Sequence, residues 1–370
     1  MRRWFIGLMS GTSLDGVDGV VAQFADRIEA LAHVHLALPP ALQRELLALN
    51  TPGTDELHRA ALAANALAEV YAQTVAKLLV RADLRPADVA AIGAHGQTVR
   101  HRPGEFDGVG YTLQLLNGAL LAERSGIDVV CDLRSRDLAA GGLGAPLVPA
   151  FHAECFARPG LDVAVLNLGG IANLTLLPAT GSPTGFDCGP GNALLDLWCL
   201  RHRGQPFDDD GRWAASGRVD ADLLAELCAD PYFDRAPPKS TGRDLFNASW
   251  LDAALQRMPS AVAAVDVQAT LAEATVGAAA GALVRHAPRT TNLLVCGGGA
   301  RNGHLMRRLA AWSPEAQVQD TATAGVPADQ VEALAFAWLA RARMEGRPGN
   351  LPAVTGARGP RVLGAVYPAA

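Results

Sequence analysis

One pattern occurs twice in this chain. Residues 4–24 read as an apolar strand, a turn rich in glycine and hydroxyls, and a returning strand: W-F-I-G-L-M, then S-G-T-S-L-D-G, then V-D-G-V-V-A-Q-F. At Leu161 it begins again with the strand L-D-V-A-V-L-N-L, the turn Gly169-Gly170 and the strand I-A-N-L-T-L-L. A recurrence at about 150 residues is too long for a solenoid and implies two lobes built on one plan. Strand-like and helix-like segments alternate throughout, which gives an α/β class. The expected division is an N-terminal lobe over 1–150, on which the segment 346–370 packs back, and a C-terminal lobe over 151–345.

The spacing of apolar residues predicts a helix from about Ala41 to Leu79, then a strand Val89–Ala94 running into His95-Gly96-Gln97-Thr98. A helix entered from a loop is expected over Tyr111–Arg124, and a strand at Ile127–Cys131. In the second half the pattern predicts a helix from Asn192 to Arg201, loop over 205–245 and a long helix near Asp266–His286. A strand Asn292–Cys296 and helices near His304–Trp312 and Asp329–Met344 complete it.

Composition narrows the function classes. Of 370 residues 49% are hydrophobic and 19% charged, enough to bury a sizeable core. The balance of 32 basic and 37 acidic residues, net −5, argues against a nucleic-acid partner. Lys77 and Lys239 are the only lysines, which disfavours Schiff-base chemistry, and no G-x-x-x-x-G-K-[ST] run is present, which excludes a P-loop. The six cysteines form no C-x-x-C clip and read as reduced thiols. Arg2 and Arg3 precede an apolar run, Trp4 to Met9, too short for a signal segment. The Ala-rich stretch Val262–Val284 carries Asp266, Gln268 and Glu273, as a soluble amphipathic helix does. A cytoplasmic protein with no membrane partner is expected.

Three glycine-rich turns follow predicted strands: Gly11–Gly16, Gly169-Gly170 and Gly297-Gly298-Gly299. Glycine there lets backbone N–H groups approach an anion, and a helix start after such a turn adds partial positive charge. Each alone reads first as a tight hairpin; three together point to a cleft that grips a nucleotide between lobes. The first adds the hydroxyls of Ser10, Thr12 and Ser13, and the carboxylates of Asp15 and Asp18, hard oxygens suited to Mg²⁺ through water.

Asp187, within Gly185-Phe186-Asp187-Cys188-Gly189-Pro190-Gly191-Asn192, is either a general base presented to a cleft or a brace for the turn. His95 and Thr98 end a strand, where ligands of α/β sheets sit, and suit recognition of sugar hydroxyls or amides. Arg134, in Asp132-Leu133-Arg134-Ser135-Arg136-Asp137, offers a fork for a substrate carboxylate or belongs to a surface ion-pair cluster. Glu332 opens a helix and on its own reads as no more than a partner of its dipole. Asp208-Asp209-Asp210-Gly211 lacks the Glu of a calcium loop and reads as a solvated acidic turn.

Taken together, Met9–Asp18, His95–Thr98, Asn167–Asn173, Gly185–Asn192 and Cys296–Asn302 resemble the anhydro-N-acetylmuramic acid kinases, in order and from residue 7 to about 340. The resemblance implies two duplicated α/β lobes of the actin/Hsp70/sugar-kinase (ribonuclease H-like) type, with a nucleotide cleft between them. It implies an ATP- and Mg²⁺-dependent phosphotransferase with an alcohol acceptor. That enzyme would open 1,6-anhydro-N-acetylmuramic acid with water and phosphorylate O6, giving N-acetylmuramic acid 6-phosphate and ADP in peptidoglycan recycling. On this resemblance Asp187 is the catalytic base. Gly11, Thr12, Ser13, Leu14, Asp15, Gly16, Val17 and Asp18 form the first ATP-phosphate loop, Gly169 and Gly170 the second, and Gly297, Gly298 and Gly299 lie beside adenosine. His95, Thr98, Arg134 and Glu332 fall on the substrate side, Asp15 faces the metal through water, and a homodimer is expected.

Overall fold

A computed structural model describes residues 4–11, 14–25, 28–242 and 245–369. Two compact units emerge, one formed by Met1–Phe151 with Gln330–Ala370 and the other by His152–Asp329. The first unit carries β1 (Trp4–Met9), β2 (Gly16–Phe24), β3 (Ile28–Ala37), β4 (Val89–Ala94), β5 (Gln97–Pro103), β6 (Gly110–Leu115) and β7 (Val129–Cys131). The second carries β8 (Val163–Leu168), β9 (Ile171–Leu177), β10 (Thr184–Pro190), β11 (Asn292–Cys296) and β12 (Gln317–Asp320). The chain then returns to the first unit for β13 (Ala365–Tyr367).

The duplication expected from the sequence is visible in strand order. The first sheet runs β3-β2-β1-β4-β7-β13 and the second β10-β9-β8-β11-β12. In each, three strands form an antiparallel meander, and the first of them then pairs in parallel with a strand that arrives much later. A second parallel neighbour follows, β7 beside β4 and β12 beside β11. Among the described strands of these two sheets, β13 alone has no counterpart; it caps the first sheet antiparallel to β7.

The helix Val331–Met344 packs on the first sheet, so the unit boundary falls at 329/330 and not at 345. Two glycines make this close approach possible. A Cβ on Gly7 of β1 would overlap the Ala333 carbonyl, and one on Gly93 of β4 would overlap that of Phe336. At these two crossings no side chain larger than hydrogen fits between strand and helix. On the unit's other packing layer the helix Glu56–Ala82 buries Leu67, Tyr71, Val75 and Leu78. In the second unit the helix Ala264–His286 plays the central role, burying Val267, Leu271, Val276 and Leu283. It is long and apolar enough to cross a bilayer, but most of it is buried inside the unit.

Several local expectations differ from the structure for identifiable reasons. The helix expected from Ala41 to Leu79 is two, Pro40–Ala48 and Glu56–Ala82, parted at Thr51-Pro52-Gly53. The start of the helix expected at Tyr111 is β6, which pairs with β5 as a hairpin; the helix begins only at Gly118, capped by Asn117. Strand β3 is not legible in the sequence, because its histidines and exposed edge positions blur the apolar alternation. Residues 205–245 include helices Arg212–Ser216 and Ala221–Cys228. The acidic turn within that stretch is not merely solvated: Asp208 accepts from the N–H groups of Trp213 and Ala214, and Asp210 from that of Gly303. These carboxylates close two helix starts, where their charge is favourable.

Candidate active site

In the second unit three chain segments leave the sheet at one edge. β8 and β11 are parallel with Asn167 beside Cys296, and β10 shares their direction because β9 is antiparallel to its neighbours. Gly169-Gly170, Gly297-Gly298-Gly299 and Gly191-Asn192 therefore all lie at the carboxyl ends of strands, where α/β sheets bind ligands. The turns are interlocked. The carbonyls of Gly169 and Gly170 accept from the N–H groups of Asn192, Gly191 and Ala193, and Asn192 Nδ2 donates to the Leu168 carbonyl. The first amides of the helix Asn192–Arg203 are thus closed to an anion. By contrast, the N–H groups of Gly169 and Gly170 find no acceptor among the described residues. Gly297 sits at φ +79°, and a Cβ there would overlap Asn167; one at Gly299 would press on Leu168. Only Gly298 of the three is exposed. The middle glycine alone offers its backbone outward.

Asp187 lies in strand β10, opposite Asn173, at a bulge that skips Cys188 and resumes at Gly189. Bulges re-aim a side chain locally, as here with a nearly buried carboxylate that is 7% exposed. Its Oδ2 accepts from Ser240 Oγ at 2.8 Å and from the Thr241 N–H at 2.9 Å. Its backbone is held as firmly: the N–H donates to the Lys239 carbonyl, and the Tyr232 hydroxyl donates to its carbonyl at 2.7 Å. Asp187, Asn173, Asn167 and Cys296 form one row across four strands, on one face of the sheet.

The segment that grips Asp187 is itself anchored by Lys239. This lysine is 8% exposed, donates to the carbonyls of Tyr232 and Phe233, and lies 4.7 Å from the centre of the Tyr232 ring. Burial pulls its ammonium below the ordinary lysine range. Tyr232, Lys239, Ser240 and Thr241 fall in the stretch that the sequence pattern gives as loop, which hides their part in the site. One signal was available: in a chain that uses arginine almost everywhere, one of two lysines stands in Pro237-Pro238-Lys239-Ser240-Thr241-Gly242.

The first unit gathers a second set, at the carboxyl ends of β1, β4 and β7. Ser10 is fully buried; its Oγ lies 2.9 Å from the Tyr71 hydroxyl and donates to the Gly96 carbonyl. His95 lies 3.1 Å from the Ser10 carbonyl through Nδ1 and 3.0 Å from Arg134 Nη2 through Nε2. Burial first, and the Arg134 charge second, push this imidazole down to about 3. Gln97 donates to the Gly11 carbonyl, and Arg134 Nη1 to that of Gly144. Thr98 accepts from Gln114 on the β5–β6 hairpin. Glu332 opens the helix whose Phe336, one turn on, packs 4.9 Å from the His95 ring.

Within the first turn, Thr12 and Ser13 lie outside the described residues. Leu14 adopts φ +59°, a left-handed conformation that costs a branched side chain roughly 1–2 kcal/mol, and is held there by burial in the core. Val17 is buried too, so neither side chain is presented to solvent at this turn. Gly16 backs on to His35. Asp15 is exposed, whereas Asp18 accepts from His33 Nε2 and His35 Nδ1, each at 3.1 Å. The structure thus collects Gly11, Leu14, Asp15, Gly16, Val17, Asp18, His95, Thr98, Arg134 and Glu332 in the first unit. Asp187, Gly169, Gly170 and Gly297–Gly299 belong to the second.

Comparison with known proteins finds relatives along nearly the whole chain. The profile of the family described as anhydro-N-acetylmuramic acid kinase matches residues 3–369. A protein of that name from Variovorax paradoxus (strain S110) is 62% identical over 99% of both chains. Another from Bordetella pertussis (strain Tohama I) is 60% identical over 99% of this chain and 96% of its own. Among solved structures, the Acidaminococcus fermentans (R)-2-hydroxyglutaryl-CoA dehydratase component A superposes with a TM-score of 0.50. At 12% identity, covering 90% of this chain and 96% of that one, it shares the duplicated α/β fold alone. With interlocked glycine turns, a braced aspartate and near-complete coverage by relatives of one description, the chain belongs to the anhydro-N-acetylmuramic acid kinase family.

Proposed function

We propose that this chain opens 1,6-anhydro-N-acetylmuramic acid with water while transferring the γ-phosphoryl group of ATP to O6. The products are N-acetylmuramic acid 6-phosphate and ADP. The reading rests on family membership, and the observation that carries its chemistry is the Asp187 carboxylate, held by Ser240 and Thr241 beside the glycine turns. Asp187 takes a proton from the attacking water, a new C1–O bond forms, and the C1–O6 bond breaks. O6 then acquires its bond to phosphorus as ADP departs, so phosphoryl transfer replaces the acid of an ordinary inverting glycosidase. Gly169 and Gly170 offer N–H groups to phosphate oxygens, and the exposed Gly298 lies alongside adenosine.

Asp15 is the residue suited to Mg²⁺, through water. Its carboxylate is exposed at the first turn, and no group of three His, Cys, Asp or Glu side chains among the described residues could hold a metal. Such a site suits an ion carried mainly by phosphates and water, which supplies charge neutralisation at the transferring oxygens. In the first unit Arg134 is the residue offered to the substrate carboxylate, with Thr98 and Glu332 for its hydroxyl and amide groups.

The test is incubation with the anhydro sugar, ATP and Mg²⁺ in ¹⁸O-labelled water. Label at C1 of a 6-phosphorylated product is expected. Phosphorylation of reducing sugars without the anhydro sugar would replace this reading with a plain sugar kinase, and ATP turnover without sugar product would end both.

A further inference from the structure

His95 lies among the residues that the sequence places on the substrate side, yet its surroundings describe a different task. Each ring nitrogen faces a protein group of fixed character. Nδ1 lies 3.1 Å from the Ser10 carbonyl, which only accepts, and Nε2 lies 3.0 Å from Arg134 Nη2, which only donates. The ring therefore has one allowed state: neutral, with the proton on Nδ1 and the lone pair of Nε2 turned to the guanidinium. Its faces are closed as well, since the residue is 7% exposed and Phe336 packs against the ring.

Arg134 is held at a second point. Its Nη1 donates to the Gly144 carbonyl at 2.8 Å, so two terminal nitrogens fix the plane of the fork. Gly144 is in turn fixed: its N–H donates to Asp137 Oδ2 at 2.8 Å, and it adopts φ +68°. The other oxygen of Asp137, which is fully buried, accepts from Asn350 Nδ2 and Thr355 Oγ1. A continuous run of hydrogen bonds thus links the glycine-rich turn at Ser10, through His95, Arg134, Gly144 and Asp137, to the C-terminal segment.

We propose that His95 is a positioning residue: it touches no sugar atom, and its Nε2 lone pair sets the plane in which Arg134 meets the substrate carboxylate. The role of Arg134 here rests on the proposed function; the state of the ring does not. Substitutions separate the two nitrogens. His95→Gln places a carbonyl oxygen near Nε2 and keeps an acceptor for Arg134. His95→Asn keeps a donor near Nδ1 and gives Arg134 nothing.

The experiment has two arms. Nitrogen NMR of the full chain labelled at histidine, with the His95 signals identified by their loss in His95→Gln, is expected to show a protonated Nδ1 and a bare Nε2. A ring carrying its proton on Nε2, or on both nitrogens, overturns the proposal whether or not the enzyme turns over. In steady-state assays, His95→Asn is expected to raise KM for the anhydro sugar about 10- to 100-fold, the loss of one hydrogen bond to a charged group, with kcat within about threefold. His95→Gln recovers most of that, and in an Arg134→Ala background His95→Asn adds nothing further. Additive effects of the two changes, or loss in kcat at unchanged KM, would overturn it. Absence of activity in the native chain would fail the proposed function, leaving the NMR arm to decide on His95.

Discussion

The replacement of Asp187 by asparagine is the perturbation that the geometry treats most specifically. Asparagine is isosteric, and its amide can turn so that Oδ1 takes the place of Asp187 Oδ2. There it still accepts from Ser240 Oγ and the Thr241 N–H, at the positions now 2.8 and 2.9 Å away. The NH₂ group then occupies the other oxygen's place and offers a donor where the reaction needs an acceptor. Loss of a general base lowers kcat by roughly 10²- to 10⁴-fold, or about 3–5.5 kcal/mol of barrier. Folding changes little, because both hydrogen bonds persist.

Asp187→Ala supplies the contrast. It removes the acceptor of both donors and costs about 1–3 kcal/mol. For a body of roughly 150–250 residues that lowers Tm by roughly 2–12 °C. ADP release coupled to sugar-phosphate detection gives kcat, and a melting curve gives Tm, for both variants. An Asp187→Asn enzyme with more than about a tenth of native kcat would refute the base assignment. Melting as low as that of Asp187→Ala would refute the geometry that holds the carboxylate.

Gly7→Ala and Gly93→Ala each drive a methyl into a carbonyl of the helix Val331–Met344, at Ala333 and Phe336. Each is expected to cost about 3 kcal/mol or more, read as lost soluble yield or a much lower Tm; a near-native Tm would mean the helix packs elsewhere. Asp137→Ala strips three donors, Gly144 N–H, Asn350 and Thr355, of their buried acceptor. Urea unfolding should show a loss of at least about 3 kcal/mol, and a loss under 1 kcal/mol would contradict the buried network. His152, fully buried against Thr175, is pushed down to about 3 by desolvation. Since the unfolded chain binds this proton below about pH 6.5 and the folded one does not, stability falls as pH falls from there, by up to about 1.4 kcal/mol per pH unit. His152→Asn should flatten that slope by this amount between pH 6 and 4; an unchanged slope would show that His152 takes up its proton in the folded state.

What the chain disclosed in advance follows from how locally each feature is encoded. Strand, glycine turn and strand are contiguous, so the duplication and its three turns could be read without knowing the fold. Asp187 stood out because Phe186 and Gly189-Pro190-Gly191 flank it directly, although its place on a bulged strand did not. The partners of Asp187 are another matter: Ser240 and Thr241 lie 53 and 54 positions away, and only tertiary folding brings them to Oδ2. The same holds for the glycines of β1 and β4, whose reason is a helix more than 230 residues later in the chain. Their pattern in sequence is that of any permissive turn or strand residue. His95 shows the limit most sharply. A histidine at a strand's carboxyl end suits a ligand, and nothing within its own segment tells that Ser10 lies at one nitrogen and Arg134 at the other. Which residue a polar group faces is set by packing across the sheet. Motifs therefore locate a site, and the hydrogen-bond partners, each found far along the chain, decide which of its residues meet the substrate and which only hold the others in place.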